Sequence, residues 1–136
     1  MAAVERVILS DHMGETMRKL VHAIALLLVL GLSAPVLAEP FEDAMAAYNK
    51  QDYATAMRLL RPLADQGNAY AQNDLGVMYA KGQGVSQDYV QAHKWLNLGA
   101  AAGNEDAITN RDIVAGKMTP AQIAEAQKLA SAWKPK

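Results

Sequence analysis

Few residues beyond position 38 have side chains suited to catalysis or metal binding. His93 is the only histidine there, and the 136-residue chain contains no cysteine. A zinc site needs several nitrogen, sulfur or carboxylate ligands held together, and one histidine cannot supply such a set. General acid–base catalysis would need a carboxylate beside His93, but its helical neighbours Tyr89 and Asn97 have none. We therefore predict no catalytic residue and no metal site, with His93 facing solvent.

The segment GQGVSQD, residues 82–88, is the one stretch that could suggest phosphate binding. It has two glycines, but it lacks the lysine and the strand-to-helix setting of a phosphate-binding loop. Ser86 lies near Asp88 without a base to activate its hydroxyl, so nucleophilic catalysis is not indicated. We interpret the segment as a turn between helices and expect no cofactor.

Composition and charge favour a globular helical chain. Apolar residues make up 51% and charged residues 20%, with 13 Lys and Arg against 14 Asp and Glu. This balance is typical of folded rather than disordered chains, and it provides no charge excess that would attract nucleic acid or anionic lipid. Seven methionines beside one phenylalanine favour helices over strands.

The N-terminal part of the chain reads as a secretory signal peptide over residues 17–38. Two cations, Arg18 and Lys19, precede an apolar core from Val21 to Leu32, and small residues lead to a cleavage point after Ala38. The alternative, a membrane anchor, would need about 18–20 apolar residues, which is longer than this core. We expect residues 1–16 to be an extension upstream of the true start, membrane contact to occur only through the signal peptide, and the mature protein to be periplasmic or secreted.

The elements beyond residue 38 follow an internal repeat. Many identical residues differ in number by 36, a period typical of α-solenoids whose repeats contain more than one helix. The pairs are Asp52 and Asp88, Tyr53 and Tyr89, Ala56 and Ala92, Leu60 and Leu96, Ala64 and Ala100, Gly67 and Gly103, Asn68 and Asn104, and Ala71 and Ala107. The sequence predicts one solenoid domain over residues 39–133 and a frayed tail over 134–136.

Each unit is predicted to contain two helices, A and B. In the middle unit Asn68 should cap helix A, Gly82 or Gly84 should end it, and Asp88 should cap helix B. The small residues Gly76 and Ala92 lie beside the apolar stripes and should let the two helices approach closely. Further along, Gly103 should end helix B and Asn104 should cap the next helix.

The third unit departs from the pattern. Arg111 and Asp112 stand 36 positions after Leu75 and Gly76, so this unit is predicted to be a more polar cap. Thr119 and Pro120 begin a last helix whose apolar stripe should close the end of the core. The stripe consists of Ile123, Ala126, Ala130 and Trp133.

The segment from Ala71 to Ala107 resembles the Sel-one-like repeat (SLR) family. The residues that match the family's pattern are Ala71, Leu75, Gly76, Tyr79, Gly82, Gly84, Val85, Asp88, Ala92, Trp95, Ala100, Ala101, Gly103 and Ala107. The earlier unit, from Phe41 to Asn68, matches in part, since its inter-helix loop is shorter and it lacks the Leu-Gly pair. The resemblance implies an all-α fold, a short right-handed α-solenoid of antiparallel helix pairs with about two and a half repeats and a C-terminal capping helix.

The resemblance also implies that the protein binds a protein or peptide on the concave face formed by the A helices. The residues that this geometry would place there are Tyr70, Asn73, Val77 and Lys81 in the middle unit, with Thr109 and Ile113 in the next. Tyr70 either anchors a partner or covers a neighbouring helix.

Three functions stay open at this point. The first is an exported SLR adaptor or scaffold of the cell envelope, without catalysis of its own. The second is a small cell-wall-associated hydrolase or peptidoglycan-binding protein, although the exported members associated with that role are rich in cysteine. The third is a structural subunit that assembles through its exposed ends.

Overall fold

The structure is a computed structural model that describes Gly14 and residues 39–136. This part of the chain is helical and contains no strand, which confirms the predicted all-α solenoid of helix pairs. The helices are α1 (Glu39–Asn49), α2 (Tyr53–Asp65), α3 (Ala69–Lys81), α4 (Tyr89–Ala101), α5 (Glu105–Ala115) and α6 (Pro120–Ala132). Among the described residues no helix has the length and apolarity needed to cross a membrane. The predicted extension, 1–16, and the signal peptide, 17–38, lie outside the described residues apart from Gly14.

Polar side chains fix where five of these helices begin. Each accepts a hydrogen bond from a backbone N–H of the first turn, which would otherwise have no partner inside the helix. The caps predicted at Asn68, Asp88, Asn104 and Thr119 are all present, and Asp52 caps α2 in the same way. At Thr119 the capping box is complete, because the Gln122 side chain also accepts from the Thr119 N–H at 2.9 Å.

The end of α3 depends on glycine. Gly82 takes φ = 67°, a left-handed conformation that most residues adopt only with strain, and its N–H donates to the Met78 carbonyl. Gly84 also has a positive φ, and a Cβ there would come within 2.5 Å of the Tyr53 carbonyl oxygen. The loop after α3 is therefore packed against the start of α2, in the preceding unit.

Helices α3 and α4 pack at very close range, as the small residues predict. A Cβ on Gly76 would lie 2.6 Å from Leu96 Cγ and 3.0 Å from the Ala92 carbonyl oxygen. Only a glycine at position 76 allows this approach, since distances below 3.0 Å require atoms to move.

The core lies between the helix pairs in two connected groups of buried side chains. The first joins α1, α2 and α3 to Trp95 of α4, and the second joins α4 to α5. Several of the predicted repeat residues are in these groups: Ala71, Leu75, Ala92, Trp95 and Ala107 are buried, while Tyr79 and Ala100 pack at their edges.

Helix α6 packs mainly on α4 rather than on α5, the helix that precedes it. Its predicted stripe does face inward, with Ala126 and Ala130 buried. However, Trp133 packs against the first core group, and a Cβ on Gly67, at the α2–α3 turn, would lie 3.8 Å from its ring. The stripe therefore covers the side of the solenoid formed by the B helices instead of closing its end.

The C-terminal tail, predicted to be frayed, makes one backbone contact with the rest of the domain. The Lys136 N–H donates to the Asp65 carbonyl oxygen at 2.9 Å. Because Trp133 packs against the first core group near the α2–α3 turn, the residues that follow it pass the end of α2, where this acceptor lies.

Replacing Gly76 with leucine should lower the free energy of unfolding by about 1–3 kcal/mol, because the new side chain would overlap Leu96 in a packed interface. Urea unfolding followed by circular dichroism measures the change. Gly116→Leu is the matched control, since Gly116 is exposed with φ = −62° and should shift stability by less than about 0.5 kcal/mol. Equal midpoints for Gly76→Leu and wild type would contradict the close packing.

Candidate protein-binding face

The A helices α1, α3 and α5 lie side by side and point in the same direction. At their starts the rings of Phe41 and Tyr70 are 6.3 Å apart. Near their ends the Tyr48 hydroxyl donates to Gln83 Oε1 at 3.1 Å. Between α3 and α5, Asn110 Nδ2 donates to Asn73 Oδ1 at 2.9 Å. We call the surface that these three helices present the A-helix face.

The predicted partner-binding residues take different places on this face. Tyr70 is 66% exposed and Ile113 57% exposed, and Lys81 is exposed as well. Val77 is half-buried at the centre, where it lines grooves on both sides of α3. Asn73 is half-buried, and its side-chain oxygen already accepts a hydrogen bond from Asn110.

Thr109 is placed less favourably than the repeat suggests. It is exposed and lines neither of the two grooves beside α3, whereas the next residue, Asn110, lines one of them and reaches α3. The 36-residue period pairs Thr109 with Asn73 by number, but the contact joins Asn73 to Asn110. The residue that contacts Asn73 therefore lies one position further along α5 than the residue that the 36-residue period pairs with it.

The groove between α1 and α3 is small and mostly apolar. Its volume is about 110 Å³, and Met45, Tyr48, Asp74 and Val77 line it. Burial raises the pKa of the Asp74 carboxyl, the hydrogen bond from Asn73 partly opposes this, and the negative charge of Asp106 adds to it. Sequence reasoning missed Met45, Tyr48 and Asp74 as groove residues, although Asp74 stands beside the predicted Asn73.

The groove between α3 and α5 is larger and ends in lysines. Its volume is about 220 Å³, with Val77, Ile113 and Val114 among its apolar lining and Lys81 and Lys117 at its mouth. Lys117 Nζ lies 5.9 Å from the centre of the Tyr89 ring, which is within the range of a cation–π contact. An apolar side chain with an adjacent polar or anionic group would match this lining.

The two edges of the A-helix face carry side chains of opposite charge. Carboxylates occupy the first turns of the outer two A helices, with Glu39 and Glu42 in α1 and Glu105 and Asp106 in α5. Lysines stand at or just beyond the opposite ends, as Lys50, Lys81 and Lys117. Both sets complement the helix dipoles and give the face an acidic edge and a basic edge.

The prediction that His93 faces solvent is wrong. Its side chain is 4% exposed, because α4 is packed by α3, α5 and α6 and has little open flank. Burial lowers the pKa of His93, repulsion from Arg111 lowers it further, and the Asp112 carboxylate partly compensates. Within residues 39–136 its Nδ1 has no hydrogen-bond partner, and the lowered pKa of the ring favours its neutral form.

The remaining sequence candidates for chemistry are structural. Residues 82–88 form the turn between α3 and α4, where Asp88 caps α4 through the Gln91 N–H at 3.0 Å. Across the described part of the chain, no cluster of three or more His, Cys, Asp or Glu side chains could hold a metal ion.

The fold and the open A-helix face define a helical-repeat protein of the α-solenoid class. The Sel1 repeat family model matches the chain at residues 50–68 and 69–104, so two Sel1 repeats are present and the match supports membership of the SLR family. The second matched segment spans α3, α4 and the turn between them. Sel1 repeats typically mediate protein–protein interactions. No curated protein is significantly similar to the chain.

The buried His93 should make folding stability depend on pH below its ordinary pKa of 6.5. As pH falls through this value, the unfolded chain takes up a proton at His93 before the folded chain does, so the free energy of unfolding decreases. The contribution of neutral His93 to the free energy of unfolding is fully present above pH 6.5 and is lost progressively below it.

Urea midpoints at about pH 7.5 and about pH 5.5 measure this effect. The drop should be larger for the wild type than for His93→Gln, in which the titrating group is absent. Other groups titrate equally in both proteins, so the difference isolates His93. Identical drops would contradict a buried neutral histidine.

Proposed function

We propose that this protein is an exported SLR adaptor that binds a protein or peptide on its A-helix face and has no catalytic activity of its own. The two Sel1 repeats support the interaction role. The signal-like sequence of residues 17–38 supports export to the periplasm or the outside of the cell.

One observation carries the choice of face. Within residues 39–136 the large apolar side chains left exposed are Tyr70, Ile108 and Ile113. Tyr70 lies against Phe41 of α1 and Ile113 lines the groove between α3 and α5, so these two are on the A-helix face. The opposite side of the middle unit is covered, because α6 packs on α4. The exposed Tyr70 ring is a favourable anchor for a partner, since burying it removes apolar area from water.

The dimensions of the grooves favour a compact partner segment. The two grooves beside α3 have volumes of about 110 and about 220 Å³, which suit individual side chains rather than a long extended chain. Because Val77 separates them, one partner helix or turn could place a side chain in each.

Export predicts a mature N-terminus at Glu39, because cleavage would follow Ala38. Fractionation of the expressing cell, followed by N-terminal sequencing of the purified protein, measures both location and cleavage. A chain that stays in the cytoplasm with its N-terminus intact would contradict export. Recovery in the periplasm or the medium with Glu39 at the N-terminus is the expected result.

Placing a charge at Val77 and removing the Tyr70 ring should abolish partner binding. The double variant Tyr70→Ala/Val77→Arg puts a guanidinium between the two grooves and removes the exposed aromatic. Affinity capture of the tagged protein from its native envelope, quantified by mass spectrometry, should show at least about a tenfold loss of the partner.

The matched control for this experiment is Ala124→Arg, which adds the same charge on exposed α6, away from the A-helix face. Circular dichroism must show both variants folded. Capture that is unchanged in the double variant would refute the A-helix face, and capture of no protein by the wild type would refute the adaptor function.

A further inference from the structure

The groove between α1 and α3 contains a carboxylate that pairs with no cation of residues 39–136. Asp74 is half-buried there beside Met45, Tyr48 and Val77. Within residues 39–136 its carboxylate accepts one side-chain hydrogen bond, from Asn73 Nδ2 at 3.1 Å. The ion pair in this part of the chain joins Arg111 to Asp112, so no cation of the described residues lies within 4.0 Å of Asp74.

The neighbouring repeat has an amide at this position. Asn110 stands 36 residues after Asp74, and its amide donates to Asn73 on the adjacent A helix at 2.9 Å. Tyr48 and Tyr79 set the offset between α1 and α3 at 31, which makes Glu42 the counterpart of Asn73. In the sequence register, the positions of this amide pair are therefore held by two carboxylates, Asp74 and the exposed Glu42. Ionised carboxylates only accept hydrogen bonds, so this pair cannot bond to itself.

An ionised carboxylate in an apolar groove is unfavourable to the free protein. Loss of water around Asp74 disfavours its charged form, and the negative charge of Asp106 disfavours it further. A cation that entered the groove would offset both effects and would do so in surroundings where the attraction is less screened than in bulk water.

We propose that this groove binds the cationic side chain, arginine or lysine, of a protein partner. The charged group pairs with Asp74, and its alkyl stem packs on Met45, Val77 and the ring of Tyr48, which also offers a cation–π contact. This inference rests on the proposed adaptor function, and it specifies the chemistry of one contact within the A-helix face.

Short acetylated peptide amides test the proposal directly. Each has one central residue between leucines, and the central residue is either arginine or citrulline, its neutral isostere. They are titrated into the full chain, purified as the cell processes it, and binding is followed by shifts of the backbone amide signals of α1 and α3 in NMR spectra at about pH 7. The arginine peptide should bind at least about tenfold more tightly than the citrulline peptide.

Two variants separate the Asp74 contact from general charge attraction. Asp74→Asn should lose the preference for arginine, whereas Glu125→Gln, which removes one charge from exposed α6, should keep it. Asp74→Asn should also unfold at a higher urea concentration at neutral pH, because the folded state no longer contains the desolvated charge. This measurement reports that the variant is folded.

The outcomes distinguish this inference from the adaptor function. Equal binding of the arginine and citrulline peptides, no binding of either, or a preference that persists in Asp74→Asn would overturn the inference. Any of these results together with partner capture that depends on Tyr70 and Val77 would leave the adaptor function intact.

Discussion

The close approach of α3 and α4 is the constraint on which the arrangement of the other helices depends. Gly76 brings Leu96 and the Ala92 carbonyl against the α3 backbone. Gly99 does the same from the opposite helix, since a Cβ there would lie 3.2 Å from the Ala69 carbonyl oxygen and 3.2 Å from Ala107 Cβ. Because two glycines remove the side chains between these backbones, α3 cannot rotate about its axis without a clash. This fixed rotation sets which residues of α3 face the neighbouring A helices.

The two sides of the solenoid differ because α6 folds back along α4. Ala126, Ala130 and Trp133 supply apolar surface to the B-helix side, and the Lys136 N–H is bound at the end of α2. Among residues 39–136 no helix packs over the A helices in this way, so within this part of the chain their exposed apolar residues and their grooves are uncovered. The same packing that buries His93 thus leaves the A-helix face as the surface on which partner residues can find apolar contacts.

Sequence reasoning predicted well those features that depend on local or repeated interactions. The caps at Asn68, Asp88, Asn104 and Thr119 need only the first turn of their own helix, and Gly82 ends α3 through its own backbone. The buried repeat residues followed from the 36-residue period because each unit buries the same stripe.

The missed features depend on contacts between elements that do not repeat. His93 is buried because three helices pack on α4, and the tail reaches the end of α2 because Trp133 packs against the first core group. Neither fact appears in a helical pattern. On the candidate face, Asp74 and Asn110 were missed because a neighbouring helix meets α3 one residue away from the position that the period indicates.

The loop after α3 is part of the middle repeat in the sequence, but it also contacts the helices of the preceding repeat. Gln83 accepts a hydrogen bond from Tyr48 of α1, and Gly84 lies against the backbone at Tyr53 of α2. Unfolding either repeat would therefore break contacts that also stabilise the other repeat. In an array this short, the contacts between repeats contribute a large share of the total folding stability. The two repeats therefore form one cooperative folding unit and do not unfold one after the other.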